Sequence, residues 1–162
     1  MIIVLMGVSG SGKTTVGEKL AERLGCGFSD ADRFHSRENV EKMRAGIPLT
    51  DADRRPWLAA LRAAVERRQA EGVDHVFACS ALKQAHREVL SPKDDVVFVH
   101  LKGSAEVIGP RLAARRGHYM NPALLASQFE ALEEPRNAVV VDIGGTPDEI
   151  VADVLARLPK RE

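Results

Sequence analysis

Eight consecutive residues near the amino terminus have the composition of a loop that binds phosphate. They are Gly7, Val8, Ser9, Gly10, Ser11, Gly12, Lys13 and Thr14, and they fit the pattern GxxxxGK[ST] in full. Glycines let successive backbone N–H groups surround an anion without clashes from Cβ atoms. We expect Lys13 to reach the β- and γ-phosphates of a nucleotide, the Thr14 hydroxyl to bind Mg²⁺, and Thr15 to contact the α-phosphate. The alternative is a glycine-rich turn without a ligand. The pattern alone also does not separate a kinase from a motor protein, a GTPase or a nucleotide-gated binding module.

Two carboxylates, Asp30 and Asp32, follow the first helix candidate, in a segment that has the character of a short second strand. With a period of two, both side chains would lie on one side of that strand. A kinase that acts on a hydroxyl needs an oxygen atom that orients the hydroxyl and takes its proton, and Asp32 is the candidate for that role. Asp30 is a candidate Mg²⁺ ligand. The alternative is that one of the two aspartates caps the next helix.

Arg111, Arg115, Arg116 and His118 gather potential positive charge in one short segment. Arg111 and Arg115 share a helical face, where like charges repel, so an anionic partner is an attractive explanation. Arginines on a mobile segment can close over the phosphates of ATP and neutralise charge in the transition state. We therefore expect Arg111 and Arg115 to bind ATP, with Arg115 catalytic, and His118 to contact the acceptor. The alternative is a solvated basic face, and Gly109-Pro110 should kink or restart the helix that leads to it.

The elements that must position these groups follow a repeating order of short apolar runs and helix-period segments. The predicted strands are residues 2–6, 28–32, 75–79, 96–101 and 138–142. The predicted helices are residues 13–24, 37–45, 51–69, 83–90, 104–115, 122–132 and 147–158. This order predicts an α/β fold of three layers (αβα), with a mostly parallel five-stranded sheet whose carboxyl edge binds the ligands.

Length and charge limit the remaining classes of protein. The 162 residues suit one domain over 1–162. There are 23 basic and 23 acidic residues, so the net charge is zero, which argues against a general binder of nucleic acid or anionic membranes. No segment approaches the roughly 18 apolar residues of a membrane span. Cys26 and Cys79 form no metal-binding pattern, so we expect small hydrophobic side chains with reduced thiols in a cytoplasmic protein.

Several stretches of the chain resemble the gluconate kinases of bacteria and eukaryotes. Besides the phosphate loop, they are DADRFH at 30–35, NVEKMRAGIPLTDADRRPWL at 39–58, ACSALK at 78–83, RRGHYM at 115–120 and QFEALEEP at 128–135. The stretches KMxxGxPLxDxDRxPW and ACSALK are long and unusual, and the resemblance extends over nearly the whole chain. One departure is Ala31, where gluconate kinases usually have glycine between the two aspartates.

The resemblance implies a P-loop kinase fold of the nucleoside-monophosphate-kinase type and transfer of phosphate from ATP to the 6-hydroxyl of D-gluconate. It further implies dependence on Mg²⁺, a homodimer, an acceptor-binding region at about 30–90, a helical lid at about 111–135 and adenine near 142–147. The alternatives are a kinase for another small acceptor, such as a related sugar acid, shikimate or a nucleoside monophosphate, and a nucleotide-binding regulatory protein.

A pocket for gluconate needs a fixed cation for the carboxylate and polar groups for the row of hydroxyls. Arg54 has a planar fork that suits a carboxylate. Ser80 and Lys83 follow the end of a buried strand, and Arg87 lies one turn beyond Lys83. His35 completes the candidates for substrate contact. The alternatives are a surface arginine at a helix start for Arg54, a helix cap for Ser80 and simple packing for His35.

Overall fold

The structure, a computed structural model, describes residues 1–114 and 125–160. Its strands are β1 (Ile2–Met6), β2 (Gly27–Asp30), β3 (His75–Ala78), β4 (Val97–Lys102) and β5 (Val139–Asp142). Its helices are α1 (Lys13–Leu24), α2 (Arg37–Arg44), α3 (Asp51–Glu71), α4 (Gln84–Leu90), α5 (Ala105–Ala114), α6 (Leu125–Ala131) and α7 (Pro147–Arg157), and a 3₁₀ turn covers Ala31–Phe34. The strands form one parallel sheet in the order β2-β3-β1-β4-β5.

The burial of the central strand β1 shows that both faces of the sheet are covered. All five of its residues are buried, as expected for a parallel strand with helices on both sides. Ile3 and Leu5 belong to one apolar cluster, which includes residues of α1 and α7, whereas Val4 belongs to a second cluster with residues of α3. The alternation of side chains therefore divides the core into two layers around the sheet. The predicted three-layer α/β fold with five strands is confirmed.

Parallel register brings the carboxyl ends of β1 and β3 together. Leu5 pairs with Ala78, and just beyond these residues the Gly7 N–H donates a hydrogen bond to the Ser80 carbonyl at 3.2 Å. The loop after β1 and the loop after β3 are consequently neighbours at the edge of the sheet where ligands bind in doubly wound folds.

Two local expectations were wrong. Strand β2 ends at Asp30, because the Asp30 side chain accepts a hydrogen bond from the Asp32 N–H at 2.9 Å and so caps the 3₁₀ turn that contains Asp32. Of the two outcomes expected at Pro110, a kink or a restart, the restart is wrong, because helix α5 runs through the proline. Ile108 and Leu112, on either side of the proline, are buried in the core and hold the helix on the sheet.

Helix α3 starts where its capping sequence predicts. The Thr50 hydroxyl accepts from the Asp53 N–H at 3.1 Å, and the Asp53 carboxylate accepts from the Thr50 N–H at 2.9 Å. This reciprocal pair fixes the first turn of the helix and with it the position of Arg54.

The part of the chain at 1–114 and 125–160 contains no helix long and apolar enough to cross a membrane. Neither Cys26 nor Cys79 forms a disulfide. Burial raises the pKa of the Cys79 thiol to about 12, so this side chain is an inert apolar group in the core.

Candidate active site

The phosphate loop connects the end of β1 to the start of α1, and its backbone demands glycine at Gly7. The φ angle of Gly7 is +148°, and a Cβ atom there would lie 2.8 Å from the Leu101 carbonyl oxygen. Gly12 (φ +94°) is the left-handed residue that precedes α1. Because α1 begins at Lys13, its free N–H groups and the positive end of its dipole face the loop.

Two side chains in the loop have the geometry of a phosphate site. The Lys13 Nζ donates to the carbonyl oxygens of Gly7 at 2.9 Å and Val8 at 3.0 Å, so the ammonium group lies over the loop. The Ser11 hydroxyl is buried and has no hydrogen-bond partner among the described residues. A buried hydroxyl without a hydrogen-bond partner costs free energy unless a ligand forms the missing hydrogen bond. The loop therefore fits the phosphate oxygens of a nucleotide.

Thr14 and Asp30 form a pair of hard oxygen ligands next to this loop. The Thr14 hydroxyl donates to the Asp30 carboxylate at 3.0 Å. Magnesium in nucleotide sites takes one or two protein oxygens and completes its coordination with phosphate oxygens and water. Within the described residues there is no group of three or more His, Cys, Asp or Glu side chains that could hold a metal ion. The pair Thr14–Asp30 therefore fits a magnesium ion that is bound by two protein oxygens and otherwise by phosphate and water.

A cavity of about 240 Å³ lies beside the phosphate loop and brings together five predicted acceptor residues: Asp32, His35, Arg54, Ser80 and Lys83. Its remaining walls come from α2, the loop before α3, α3 itself, the loop after β3, α4 and α6, through Met43, Ile47, Pro48, Leu49, Trp57, Ala81, Leu82, His86, Ser127, Gln128 and Ala131. We call this cavity the acceptor pocket. Its elements are far apart in the sequence but meet above the carboxyl ends of β1 and β3.

The acceptor pocket has an excess of positive charge. Arg54 and Lys83 are cations, and Asp32 is the one carboxylate among the lining residues that the structure describes. Burial lowers the pKa of both His35 and His86, the nearby Arg54 charge lowers each further, and Lys83 adds to the effect on His86. Both imidazoles are therefore neutral at pH 7. The arrangement suits an anionic acceptor whose hydroxyls meet neutral polar groups.

The structure corrects the expected substrate contact at Arg87. The guanidinium is buried outside the acceptor pocket and donates to the carbonyl oxygens of Ala81 at 2.7 Å and Glu133 at 2.8 Å, and to the Gln84 side chain at 3.2 Å. Ala81 has a φ of +43°, an uncommon value for a residue with a Cβ atom. Arg87 therefore stabilises the strained loop after β3 through its hydrogen bonds. Spacing on a helix face could not reveal this structural role.

Gln128 in α6 is a residue that the sequence did not single out. Its carbonyl oxygen accepts from the Ser9 N–H at 2.6 Å, and its amide group donates to the Ser9 hydroxyl at 3.2 Å. Because Gln128 also lines the acceptor pocket, it links the two halves of the site. His86 was missed as well, although it lies one turn after Lys83. No spacing rule points to Gln128.

A second groove, of about 350 Å³, runs along the other side of the phosphate loop. Its walls include the loop itself, Thr15, Arg111, Gly145 and Pro147. It joins the phosphate loop to the segment after β5, which is the expected place of adenine. Arg115, Arg116 and His118 lie outside the described residues.

The phosphate loop, the Thr14–Asp30 pair and the cationic acceptor pocket all lie at one edge of a parallel sheet. Together they define a small-molecule P-loop kinase. The family model described as shikimate kinase matches residues 9–158. The chain is 48% identical to a probable gluconokinase of Dictyostelium discoideum, over 95% of this chain and 84% of that protein. The chain belongs to the gluconokinase family.

Two solved structures agree with this assignment. A gluconokinase from Sinorhizobium meliloti 1021 has 46% sequence identity and a TM-score of 0.84, with 95% of this chain and 89% of that chain covered. A sugar kinase from Janibacter sp. HTCC2649 has 43% identity and a TM-score of 0.90, over 96% and 92% of the two chains.

Proposed function

We propose that this protein is a gluconokinase that transfers the γ-phosphoryl group of ATP to the 6-hydroxyl of D-gluconate. The observation that carries the proposal is a cationic acceptor pocket beside the phosphate loop, in a chain 46% and 48% identical to proteins named gluconokinase or probable gluconokinase. Gluconate has one carboxylate and a row of hydroxyls, which matches the two cations and the neutral polar groups of the pocket.

The carboxylate of gluconate binds to Arg54 and Lys83 in this proposal. A guanidinium group forms paired hydrogen bonds with a carboxylate, and both cations already line the pocket. Ser80, His35 and His118 then take the hydroxyls. This orientation directs the far end of the sugar acid toward Asp32 and the phosphate loop.

Asp32 orients the 6-hydroxyl and accepts its proton. The hydroxyl oxygen attacks the γ-phosphorus, the bond from that phosphorus to the β–γ bridging oxygen breaks, and ADP leaves. Lys13 moves from the loop carbonyls to the β- and γ-phosphate oxygens. Thr14 and Asp30 would hold Mg²⁺, which would neutralise charge on those phosphates. The products are ADP, 6-phosphogluconate and the proton on Asp32.

The proposal also covers the rest of the ATP site and the setting of the protein. The residues proposed to bind ATP are those of the phosphate loop at 7–14, Thr15, Arg111 and Arg115, and Arg115 stabilises the transferring group from a lid at about 111–135. Adenine binds beside 142–147. We further propose a single kinase domain over 1–162 with its acceptor-binding region at about 30–90, a homodimer and a cytoplasmic location.

The test is release of ADP with Mg²⁺ and ATP, in the presence and absence of D-gluconate, with phosphorus NMR of the product. We expect release to depend on gluconate and the product to be 6-phosphogluconate. A parallel panel contains shikimate, other sugar acids and nucleoside monophosphates. Equal ADP release without gluconate, or a higher kcat/KM for another acceptor in the panel, would overturn the proposal.

A further inference from the structure

His35 is held in the acceptor pocket by two contacts of different kinds. Its ring stacks on Trp57, with the ring centroids 4.2 Å apart and an angle of 12° between the planes. Its Nδ1 atom lies 3.2 Å from the side-chain nitrogen of Asn39. The Nε2 atom makes no hydrogen bond to any residue at 1–114 or 125–160. One ring nitrogen is therefore engaged by the protein, and the other is left for a ligand.

Asn39 determines which of the two ring nitrogens carries the proton. Its amide nitrogen is 2.9 Å from the backbone carbonyl oxygen of Asp53, and a carbonyl oxygen can only accept a hydrogen bond. The atom that faces both Asp53 and His35 is consequently the NH₂ group, which can only donate. The Nδ1 atom of His35 must then accept, and the proton of the neutral ring resides on Nε2.

The surroundings keep both partners in this state. Asn39 is 5% exposed and lies on α2, and its backbone N–H donates to the Ser36 hydroxyl that caps the helix. Burial lowers the pKa of His35 to about 4, and the Arg54 charge contributes in the same direction. A neutral ring cannot donate from both nitrogens, so the choice that Asn39 imposes is decisive at pH 7.

We propose that Asn39 is a positioning residue that fixes His35 as its Nε2–H tautomer, so that His35 donates a hydrogen bond to an oxygen atom of the acceptor. An Nδ1–H tautomer would instead oppose the Asn39 amide hydrogens and present a lone pair to the pocket. The identity of the acceptor rests on the proposed function, whereas the tautomer rests on Asn39, Asp53 and His35 alone.

The tautomer is measured by NMR of the full chain labelled with ¹⁵N-histidine, without substrates, at pH 7. The two ring nitrogens of a neutral imidazole differ in chemical shift according to which one carries hydrogen, and the His35 signals are identified by their loss in H35Q. We expect the Nε2–H form in the unaltered protein. In N39D, a carboxylate next to Nδ1 accepts instead of donating, so the proton moves to Nδ1. An Nδ1–H form in the unaltered protein would overturn the proposal, even if N39D does not fold.

A kinetic comparison of H35Q and H35N tests the use of the donor. The glutamine amide nitrogen reaches approximately the place of Nε2, whereas the asparagine amide nitrogen reaches that of Nδ1. We expect H35N to raise the KM for gluconate by roughly 5- to 20-fold, the effect of one lost hydrogen bond, and H35Q by less than about 3-fold. The KM for ATP stays constant in both. Equal KM values for gluconate in the two variants would contradict the donor role.

These two experiments separate the possible failures. If gluconate is not phosphorylated, the proposed function fails, while the NMR result still decides whether Asn39 sets the tautomer. If gluconate is phosphorylated but the ring carries hydrogen on Nδ1, the proposed function stands and the positioning role of Asn39 is rejected.

Discussion

The phosphate loop and the acceptor pocket are built on different principles, although they share one edge of the sheet. The phosphate loop is one contiguous segment whose N–H groups and glycine conformations do the work, with Lys13 lying over it. The acceptor pocket is made from side chains that come from several elements between Asp32 and Ala131. A site made by the backbone can be recognised in local sequence, whereas a site made by scattered side chains depends on tertiary packing.

The largest expected effect is at Asp32, in the pocket half. Asp32→Asn removes the atom that takes the proton but keeps the shape of the side chain. We expect kcat to fall by about 10²- to 10⁴-fold, as is typical when a general base is lost, with the KM for ATP within a few-fold of its original value. Steady-state kinetics with gluconate measure both values. A kcat within 5-fold of the original would remove Asp32 from the chemistry.

The second largest effect is expected at Arg54, a cation of the acceptor pocket, and not at its neighbour Arg55. Arg54→Met should raise the KM for gluconate by roughly 10- to 100-fold, because a charge-assisted hydrogen bond is lost. Arg55→Met is the matched control, since Arg55 is exposed and does not line the pocket. Both variants should keep the KM for ATP. A similar KM for gluconate in the two variants would show that the carboxylate binds elsewhere.

Gln128 sharpens the comparison, because it belongs to both halves. Gln128→Ala removes the two hydrogen bonds to Ser9 and one wall of the acceptor pocket. We expect the KM values for ATP and for gluconate to rise together, each by about 3- to 10-fold. Glu130→Ala provides the control on the same helix, since Glu130 is exposed and does not line the acceptor pocket. A change in only one of the two KM values would mean that Gln128 serves a single substrate.

The smallest effect concerns the titration of His35 and its influence on the stability of the folded protein. His35 and His86 lie in the pocket half, whereas the phosphate loop contains no histidine. The folded pKa of His35 is about 4, below its ordinary value of 6.5, so the unfolded chain takes up protons first as the pH falls. The stability that neutral His35 provides is complete above pH 6.5 and is lost progressively down to about pH 4.

From pH 7 to pH 5, His35 alone should account for about 1 kcal/mol of lost unfolding free energy, after allowance for the partial exposure of its ring. Urea unfolding at several pH values measures this loss. His35→Gln should reduce the pH dependence by that amount. An equal pH dependence in both proteins would place the titration at other groups, among which His75 and His100 also have pKa values lowered by burial.

The same contrast explains how much the sequence could reveal. Alternating apolar runs and capping residues were sufficient for the five strands and seven helices that the described residues contain, to within a few residues, because those signals are local. The phosphate loop was predicted for the same reason. For the pocket, the carboxyl-edge rule found Ser80 and Lys83, and the expected chemistry of the acceptor found Arg54.

The errors arose where a side chain serves the protein rather than the ligand. Arg87 shares a helix face with Lys83, yet its guanidinium turns to the Ala81 and Glu133 carbonyls, and Glu133 is 46 residues away in the chain. Gln128 lies 119 residues from Ser9. Asp30 caps the turn that places Asp32, so strict alternation along a strand did not apply. The contacts of Arg87 and Gln128 depend on how α4 and α6 dock, which local spacing does not encode, whereas the Asp30 contact is local and replaces the last part of the expected strand.

The most direct test of a two-substrate site is a crystal structure with D-gluconate and a non-hydrolysable ATP analogue bound together with Mg²⁺. We expect the γ-phosphate in the loop at 7–14, the gluconate carboxylate on Arg54, and the 6-hydroxyl within hydrogen-bonding distance of Asp32. Gluconate bound in the opposite direction, with its carboxylate beside Asp32, or bound outside the acceptor pocket, would contradict the proposed site.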